Sequence, residues 1–175
     1  MRTITLTLLA ATATLAACAP VEGGRNFLAA RGALLNAQGT DVGIATVDRL
    51  PDGSMTLVLV TTGIPAGTYG AHVHMVGQCD GPRFTSAGAH WNPTTRQHGR
   101  LNPQGSHHGD LPNLVIAPDG RGRLSAALPG MFEGAGGLMD TDGAALVVHA
   151  RPDDELTDPT GNSGDRIACA VLTRV

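Results

Sequence analysis

The sequence predicts an all-β domain, a closed or nearly closed antiparallel barrel or sandwich of about eight short strands. Runs of β-forming residues recur between turn signals, and no segment after the N-terminal region has the periodicity of a helix. Aromatic residues make up only 3% of the 175 residues, and the apolar content comes mostly from Ala, Val and Leu. Such small side chains favour a core between closely packed strands of a single domain.

The strands follow from the order of these runs along the chain. They are predicted at residues 27–35, 42–50, 55–60, 69–75, 114–116, 123–128, 144–150 and 166–173. Pro51-Asp52-Gly53 and Pro118-Asp119-Gly120 predict hairpin turns. Residues 76–113 contain Gly, Pro, Asn and His throughout but show no sustained periodicity. A loop of this length in a compact domain is either disordered or functional, and a functional loop must be stabilised by something.

Residues 1–17 predict a targeting segment. Arg2 supplies the positive start, and the apolar run after it is too short to span a bilayer. The run leads through Leu15-Ala16-Ala17 into Cys18 and so resembles a bacterial lipoprotein signal, in which the cysteine becomes the lipid-carrying N-terminus. An ordinary secretory signal cleaved nearby is the alternative. We therefore expect an exported, periplasmic lipoprotein with a lipidated Cys18 and tether at residues 18–24 and a domain at residues 25–175.

The charge of the chain argues against nucleic acid as a partner. The formal net charge is -3, and all twelve basic residues are Arg. No basic run or basic face is present to neutralise phosphates. Contact with a membrane is expected only through the lipid on Cys18.

Histidines and one carboxylate are concentrated in residues 70–110. His72 and His74 stand two apart on a predicted strand, so both rings project from one face. A lone pair at this spacing is weak evidence, because surface histidines occur there by chance. The hypothesis of a metal centre depends on the further candidate ligands, which are His90, His98, His107, Asp110 and His149. Without an ion, the long loop would have no core to order it.

Four segments of the chain resemble the signatures of copper/zinc superoxide dismutases. They are residues 70–74 (GAHVH), 86–93 (SAGAHWNP), 107–113 (HHGDLPN) and 161–169 (GNSGDRIAC). The resemblance extends over most of the mature chain, and the four segments taken together are specific to this family. It implies an immunoglobulin-like Greek-key barrel of eight antiparallel strands with long metal-binding and electrostatic loops.

The resemblance also implies the ligands of one copper and one zinc per subunit. Copper is expected at His72, His74, His90 and His149, and zinc at His90, His98, His107 and Asp110. His90 would bridge the two ions through both ring nitrogens. Four imidazoles suit copper in either oxidation state, whereas three imidazoles and a carboxylate form a closed zinc site. The zinc is therefore expected to hold the loop in place.

Further roles are implied for residues near these ligands. Asp153 matches a carboxylate that links a copper histidine to a zinc histidine, although a solvated loop Asp is the alternative. Cys79 and Cys169 match the intrasubunit disulfide. Arg166 matches the active-site arginine that attracts the superoxide anion, the alternative being an arginine paired with its neighbour Asp165. His108 falls outside the family spacing and is expected to be a bystander at the surface, with a ligand swap as the other possibility.

The expected activity is dismutation of superoxide to dioxygen and hydrogen peroxide, with Arg166 and His90 as the catalytic residues. The alternative is a non-catalytic periplasmic domain that buffers or delivers copper and zinc, and a β-sandwich with incidental histidines is a third hypothesis. Residues 151–165 resemble the electrostatic loop but are rich in carboxylates. Any charge that guides superoxide must therefore come from elsewhere, and the candidates are Arg83, Arg96, Arg100, Arg121 and Arg123. The sequence does not determine whether the chain forms a homodimer.

Overall fold

The computed structural model describes residues 27–175. The predicted targeting segment, Cys18 and the tether lie outside these residues. Nine strands and one short 3-10 helix (Thr85–Ala87) make up the fold. The strands are β1 (Phe27–Asn36), β2 (Asp41–Arg49), β3 (Met55–Thr61), β4 (Gly67–Tyr69), β5 (Ala71–His74), β6 (Leu114–Ile116), β7 (Gly122–Leu128), β8 (Ala144–His149) and β9 (Arg166–Arg174). In the described part of the chain, no helix is long and apolar enough to cross a membrane.

The strands form one antiparallel sheet that curls into a nearly closed Greek-key barrel. Its strand order is β4-β6-β7-β3-β2-β1-β9-β8-β5. The two edge strands, β4 and β5, follow each other in the chain and are separated only by Gly70. The predicted all-β barrel is therefore confirmed.

The ninth strand is β4, which shares only Tyr69 with the predicted strand 69–75 and otherwise lies outside the predicted strands. β4 pairs with β6, whereas β5 pairs with β8 at the opposite edge of the sheet. Gly70 lies where the chain passes from one partner to the other. Its N–H donates to the carbonyl of Arg151, and its own carbonyl accepts the N–H of His149, both at 2.8 Å. A Cβ on Gly70 would come within 2.8 Å of Ser163, so the close approach of the two loops requires glycine here.

The core fills the inside of the barrel with small aliphatic side chains. Along β3, Met55, Leu57 and Leu59 are fully buried while the residues between them are partly exposed. This alternation is the two-residue period of a strand with one covered face. β5 and β8 differ, because all their residues are buried. Their outer face must therefore be covered by the loops.

Candidate metal centre

Three histidines are positioned by strands on the outer face of the barrel wall. Ala71 and Val73 belong to the barrel core, so His72 and His74 project from the other face of β5. β8 pairs with β5 in antiparallel register and ends at His149. All three rings are buried under the long loops. We call His72, His74 and His149 the strand set.

Three further candidate ligands come from the long loop, and Asp110 organises them. Its Oδ2 accepts the backbone N–H groups of Gly99 and His107, both at 2.9 Å. Its Oδ1 faces three ring nitrogens, the Nδ1 atoms of His90, His98 and His107, at 3.1, 3.0 and 3.1 Å. We call His98, His107 and Asp110 the loop set.

His90 lies between the two sets. Its Nδ1 faces Asp110, while its Nε2 is buried and has no hydrogen-bond partner among the described residues. The ring centroid of His90 lies 4.0 Å from that of His72 and 4.9 Å from that of His74. The two nitrogens of one imidazole are therefore directed at different groups of candidate ligands.

The donor atoms of the strand set fit a cation. Within residues 27–175, one buried ring nitrogen of each strand-set histidine and one of His90 lack a hydrogen-bond partner: Nδ1 of His72 and Nε2 of His74, His90 and His149. One ligand atom from each of the four residues lies within 4.8 Å of the others. Because buried polar atoms without partners cost free energy, their convergence is typical of a metal site.

A second group of four candidate ligands overlaps the loop set. Its ligand atoms, from His72, His90, His98 and Asp110, also lie within 4.8 Å of one another. His107 is not in this group, although its Nδ1 lies 3.1 Å from Oδ1 of Asp110 and 3.3 Å from Nδ1 of His90. The histidines and the aspartate expected to bind metal are thus brought into one continuous cluster.

Asp153 connects the two sets from a separate loop. Its Oδ2 lies 2.6 Å from Nε2 of His72, and its Oδ1 lies 3.0 Å from Nε2 of His98. The backbone of Asp153 is held by the Asn113 amide, which accepts its N–H at 2.8 Å and donates to its carbonyl at 2.9 Å. Asp153 is buried, so the solvated alternative is wrong. A carboxylate in this place fixes which nitrogen of each ring faces the centre of its set.

Gly161 makes this contact possible. A Cβ at this position would overlap the carboxylate of Asp153 and would come within 2.6 Å of Nε2 of His98. Its φ of 61° also lies in the left-handed region that favours glycine. Residues 151–165 can therefore close over the cluster only with glycine at 161.

Burial keeps the strand set neutral. It lowers the pKa of His72 to about 3 and that of His149 to about 4, and it lowers the pKa of His74 well below the ordinary value. The positive charge of Arg166 contributes a smaller lowering at His74 and His149. The rings of the strand set are therefore unprotonated at neutral pH, as metal ligands must be.

The loop set has the opposite electrostatics. Burial lowers the pKa of His98, but hydrogen bonds to Asp110 and Asp153 outweigh it and raise the pKa to about 9. Burial would raise the pKa of Asp110, yet contacts with His107, His90 and His98 hold it far below its usual range. Without a metal ion, a proton on His98 therefore balances the carboxylate charge.

Arg166 lies at the mouth of the cluster. Its guanidinium donates to the carbonyls of Phe84 and Gly88, both at 2.6 Å, so it does not rely on Asp165 for its position. The carbonyl of Gly88 also lies 3.0 Å from Nδ1 of His74. Arg166 and His90 line a cleft of about 710 Å³. A half-buried cation beside an unpartnered imidazole nitrogen is suited to binding a small anion.

The predicted disulfide between Cys79 and Cys169 is confirmed. It joins the start of the long loop to the middle of β9. Cys169 packs in a small second core with Phe84, Ala87 and Val147, beside the partly buried Cys79. The bond thus fastens the segment that carries the two carbonyl acceptors of Arg166.

His108 belongs to neither set. Its ring packs edge-on against Trp91 at a centroid distance of 5.1 Å and is half-buried. A Cβ on Gly130 would come within 2.7 Å of Nδ1 of His108, so the loop after β7 packs closely on this ring. The ring packs into the loop structure and is less exposed than the sequence suggests.

Several residues of the centre escape sequence reasoning because they act through the backbone or over long separations. Gly88 contributes a carbonyl oxygen, and Asn113 holds a residue forty positions away. Asp158 accepts the backbone N–H of His98 at 2.6 Å. Gly88 and Asn113 fall within the family-like segments, but no spacing rule indicates what they do.

A nearly closed Greek-key barrel that carries a histidine-bridged pair of candidate metal sites defines a narrow class of metalloprotein. A family model for copper/zinc superoxide dismutase matches residues 42–172. The chain belongs to the copper/zinc superoxide dismutase family, which binds copper and zinc and includes enzymes that dismutate superoxide.

Relatives and solved structures agree with this family. The chain is 44% identical to "Superoxide dismutase [Cu-Zn]" of Caulobacter vibrioides over 77% of its own length and 79% of the relative's. It is 36% identical to "Superoxide dismutase-like protein YojM" of Bacillus subtilis, over 79% and 73% of the two chains. The crystal structure of a superoxide dismutase-like protein from Bacillus subtilis superposes with a TM-score of 0.75 at 36% identity, covering 81% of this chain and 97% of that one.

Proposed function

We propose that this protein catalyses the dismutation of superoxide to dioxygen and hydrogen peroxide. In this proposal, copper is held by His72, His74, His90 and His149, and zinc by His90, His98, His107 and Asp110. Bound copper supplies the one-electron oxidation and reduction of superoxide, while bound zinc has no redox chemistry and holds the loop. The observation that carries the proposal is the convergence of four buried, unpartnered ring nitrogens beside Arg166.

The chain's own residues bind the anion and handle the proton. The guanidinium of Arg166 attracts superoxide into the cleft and donates hydrogen bonds to it. Nε2 of His90, when no metal ion is bound to it, can take up a proton and give it to the peroxide product. Nδ1 of the same ring remains directed at Asp110. Asp153 and the carbonyl of Gly88 keep the rings of His72 and His74 in the orientations that this chemistry needs.

His149→Ala is the decisive substitution. It removes one of the four unpartnered nitrogens at the end of β8 and leaves the sheet intact, so we expect loss of dismutation with an unchanged circular dichroism spectrum. His108→Ala is the matched control, because His108 lies outside both sets, and it should retain activity. Full activity of the metal-replete His149→Ala protein would contradict the assignment.

The same purified protein can be used to distinguish dismutation from the alternative function, in which the domain buffers or delivers metal without turnover. The alternative requires both metals to be bound by protein that has no dismutase activity. An open cleft here contains both Arg166 and His90, whose Nε2 has no partner among the described residues. This combination favours turnover over storage of metal. Metal content measured beside activity, before and after chelation, distinguishes the two functions.

We also propose that the protein is exported to the periplasm and anchored by lipid at Cys18. The support is the signal-like sequence of residues 1–17 and the disulfide Cys79–Cys169, which persists in an oxidising compartment. Mass spectrometry of the mature N-terminal peptide tests this, because a diacylated Cys18 and a free cysteine differ by the mass of the lipid. A mature chain that starts beyond Cys18 would contradict the anchor.

A further inference from the structure

One end of the barrel carries exposed apolar side chains next to two arginines. Phe27, Met131 and Val175 are 62%, 62% and 68% exposed. They line two adjoining hollows that share Arg49, Phe132 and Glu133 and that also include Arg174. We call Phe27, Met131 and Val175, with Arg49 and Arg174, the tether face.

The tether face lies where the described chain begins. Phe27 opens β1 and stands opposite Arg49 of β2, while Val175 follows β9 and donates its N–H to Ala29 of β1 at 3.1 Å. Eight residues separate Cys18 from Phe27. Extended chain of that length reaches at most about 30 Å, so a lipid on Cys18 would keep this end of the barrel close to the bilayer.

The substrate cleft lies toward the opposite end. Arg166 opens β9 and lines the cleft, whereas Arg174 closes the same strand at the tether face. At the rise of a β-strand the two ends are roughly 25 Å apart. A domain that rests on its tether face would therefore hold the cleft away from the lipid and open to the solvent.

The chemistry of the face matches a phospholipid surface. The guanidinium groups of Arg49 and Arg174 flank the ring of Phe132 at 5.6 and 5.5 Å from its centroid. Arg174 is paired with Glu133, while Arg49 has no carboxylate partner within residues 27–175. Apolar side chains around a free guanidinium suit the boundary between acyl chains and phosphate groups. A stable dimer needs about 20 to 30 residues on each side, more than the sixteen that line the two hollows.

From these observations we propose that the tether face docks onto the membrane to which Cys18 is anchored, with Phe27, Met131 and Val175 at the acyl boundary and Arg49 on lipid phosphate. The inference rests on the proposed lipid anchor and not on the dismutase activity. Short tethers give millimolar effective concentrations, so contacts too weak to bind a free domain are sufficient here.

Hydroxyl-radical footprinting of the metal-loaded protein tests the docking. The lipidated protein on vesicles of phosphatidylethanolamine and phosphatidylglycerol is compared with residues 19–175 secreted through a non-lipoprotein signal. Met131 is the reporter, and Met75, 46% exposed and lining the cleft, is the internal reference. We expect oxidation of Met131 relative to Met75 to slow roughly threefold on vesicles, because a face whose dissociation constant for lipid is below the millimolar effective concentration is docked most of the time.

Substitutions show whether the apolar face causes this protection. Phe27→Ser with Val175→Ser should abolish it and leave dismutation unchanged. Leu101→Ser with Val115→Ser changes two side chains that are equally exposed but lie elsewhere, and protection should persist.

Three results would overturn the proposal. Equal oxidation of Met131 in both forms means that the face stays in water. Protection already present in the soluble form means that another chain or the tether covers the face, and light scattering separates a dimer from a monomer. An unlipidated Cys18 removes the anchor on which the inference depends. Dismutase activity is measured separately in each case, so failure of the docking is distinguished from failure of the proposed function.

Discussion

The strand set and the loop set reach the same cluster by different means. His72, His74 and His149 are fixed by the ladder between β5 and β8, which is held by backbone hydrogen bonds. The loop set has no such ladder and is organised by the carboxylate of Asp110, which collects two backbone N–H groups and three ring nitrogens. The strands therefore supply a preformed site, whereas the loop needs positive charge at its centre.

The strand set and the loop set also differ in the protonation of their histidine rings. The strand set is neutral because burial penalises charge, and the loop set keeps a proton on His98 because two carboxylates face it. Zinc bound at the loop set would replace that proton, whereas copper bound at the strand set would replace none.

The largest effect is expected when the disulfide that fastens the loop is removed. Cys79→Ser with Cys169→Ser opens a closure of 90 residues, which in the chain-entropy model lowers the free energy of unfolding by about 4 to 5 kcal/mol. The loop set should also lose zinc faster, because its loop is anchored to β9 through Cys79. Denaturant unfolding and zinc release to a chromogenic chelator measure the two effects. A decrease in the free energy of unfolding of less than about 1 kcal/mol would mean that Asp110, and not the disulfide, holds the loop set.

The metal-free protein is expected to be most stable near pH 6.5. The pKa of His98 is raised to about 9, so its stabilisation is complete below pH 6.5 and is lost as the pH rises toward 9. The pKa values of His72 and His149 are lowered to about 3 and 4, so the unfolded chain binds more protons below pH 6.5 and acid destabilises the fold. Denaturant unfolding across this range measures the profile.

His98→Gln assigns the two limbs of that profile. It should flatten the alkaline limb, which the loop set causes, and leave the acid limb of the strand set. A wild-type stability that stays constant from pH 6.5 to 9 would contradict the charge balance drawn for the loop set.

The sequence predicts the strand set better than the loop set, and the reason is physical. A two-residue period fixes which face of a strand carries His72 and His74, so local spacing is sufficient for them. The same period does not reveal the short strand β4, which pairs with β6 and shares only Tyr69 with the predicted strand 69–75. The arrangement around Oδ1 of Asp110 joins residues of an aperiodic loop, and only resemblance to a family identifies them. Contacts of Gly88 and Asn113 run through carbonyl and amide groups and leave no spacing signal.

Asp153→Asn should weaken zinc binding, because it removes the carboxylate that connects the strand set to the loop set. Asp153 contacts His72 of the strand set and His98 of the loop set, and loss of such an outer carboxylate costs about 10- to 100-fold in metal affinity. Because Nε2 of His98 would lose its only carboxylate while Nδ1 keeps Asp110, we expect zinc affinity to fall and the fold to persist. Competition with a zinc chelator measures the affinity. Asp119→Asn, an exposed carboxylate on the turn between β6 and β7, is the control and should leave it unchanged.

The smallest effect is expected when arginines near the cleft other than Arg166 are substituted. Arg96 lines the cleft with Arg166, but Asp140, Asp142 and Asp158 lie along the same walls. These opposite charges offset one another, so the field that guides superoxide should be weak and easily screened.

Arg83 does not line the cleft but shares a neighbouring hollow of about 450 Å³ with Arg166 and Asp165. Arg83→Gln should lower kcat/KM by only about two- to threefold at low ionic strength, with no difference at high ionic strength, as expected of a screened surface charge. Arg121→Gln, beside Asp119 on the β6–β7 turn and outside these hollows, should change nothing. Pulse radiolysis at several salt concentrations measures the rate constants. A tenfold or larger loss in Arg83→Gln would mean that Arg83 acts on bound superoxide rather than on its approach.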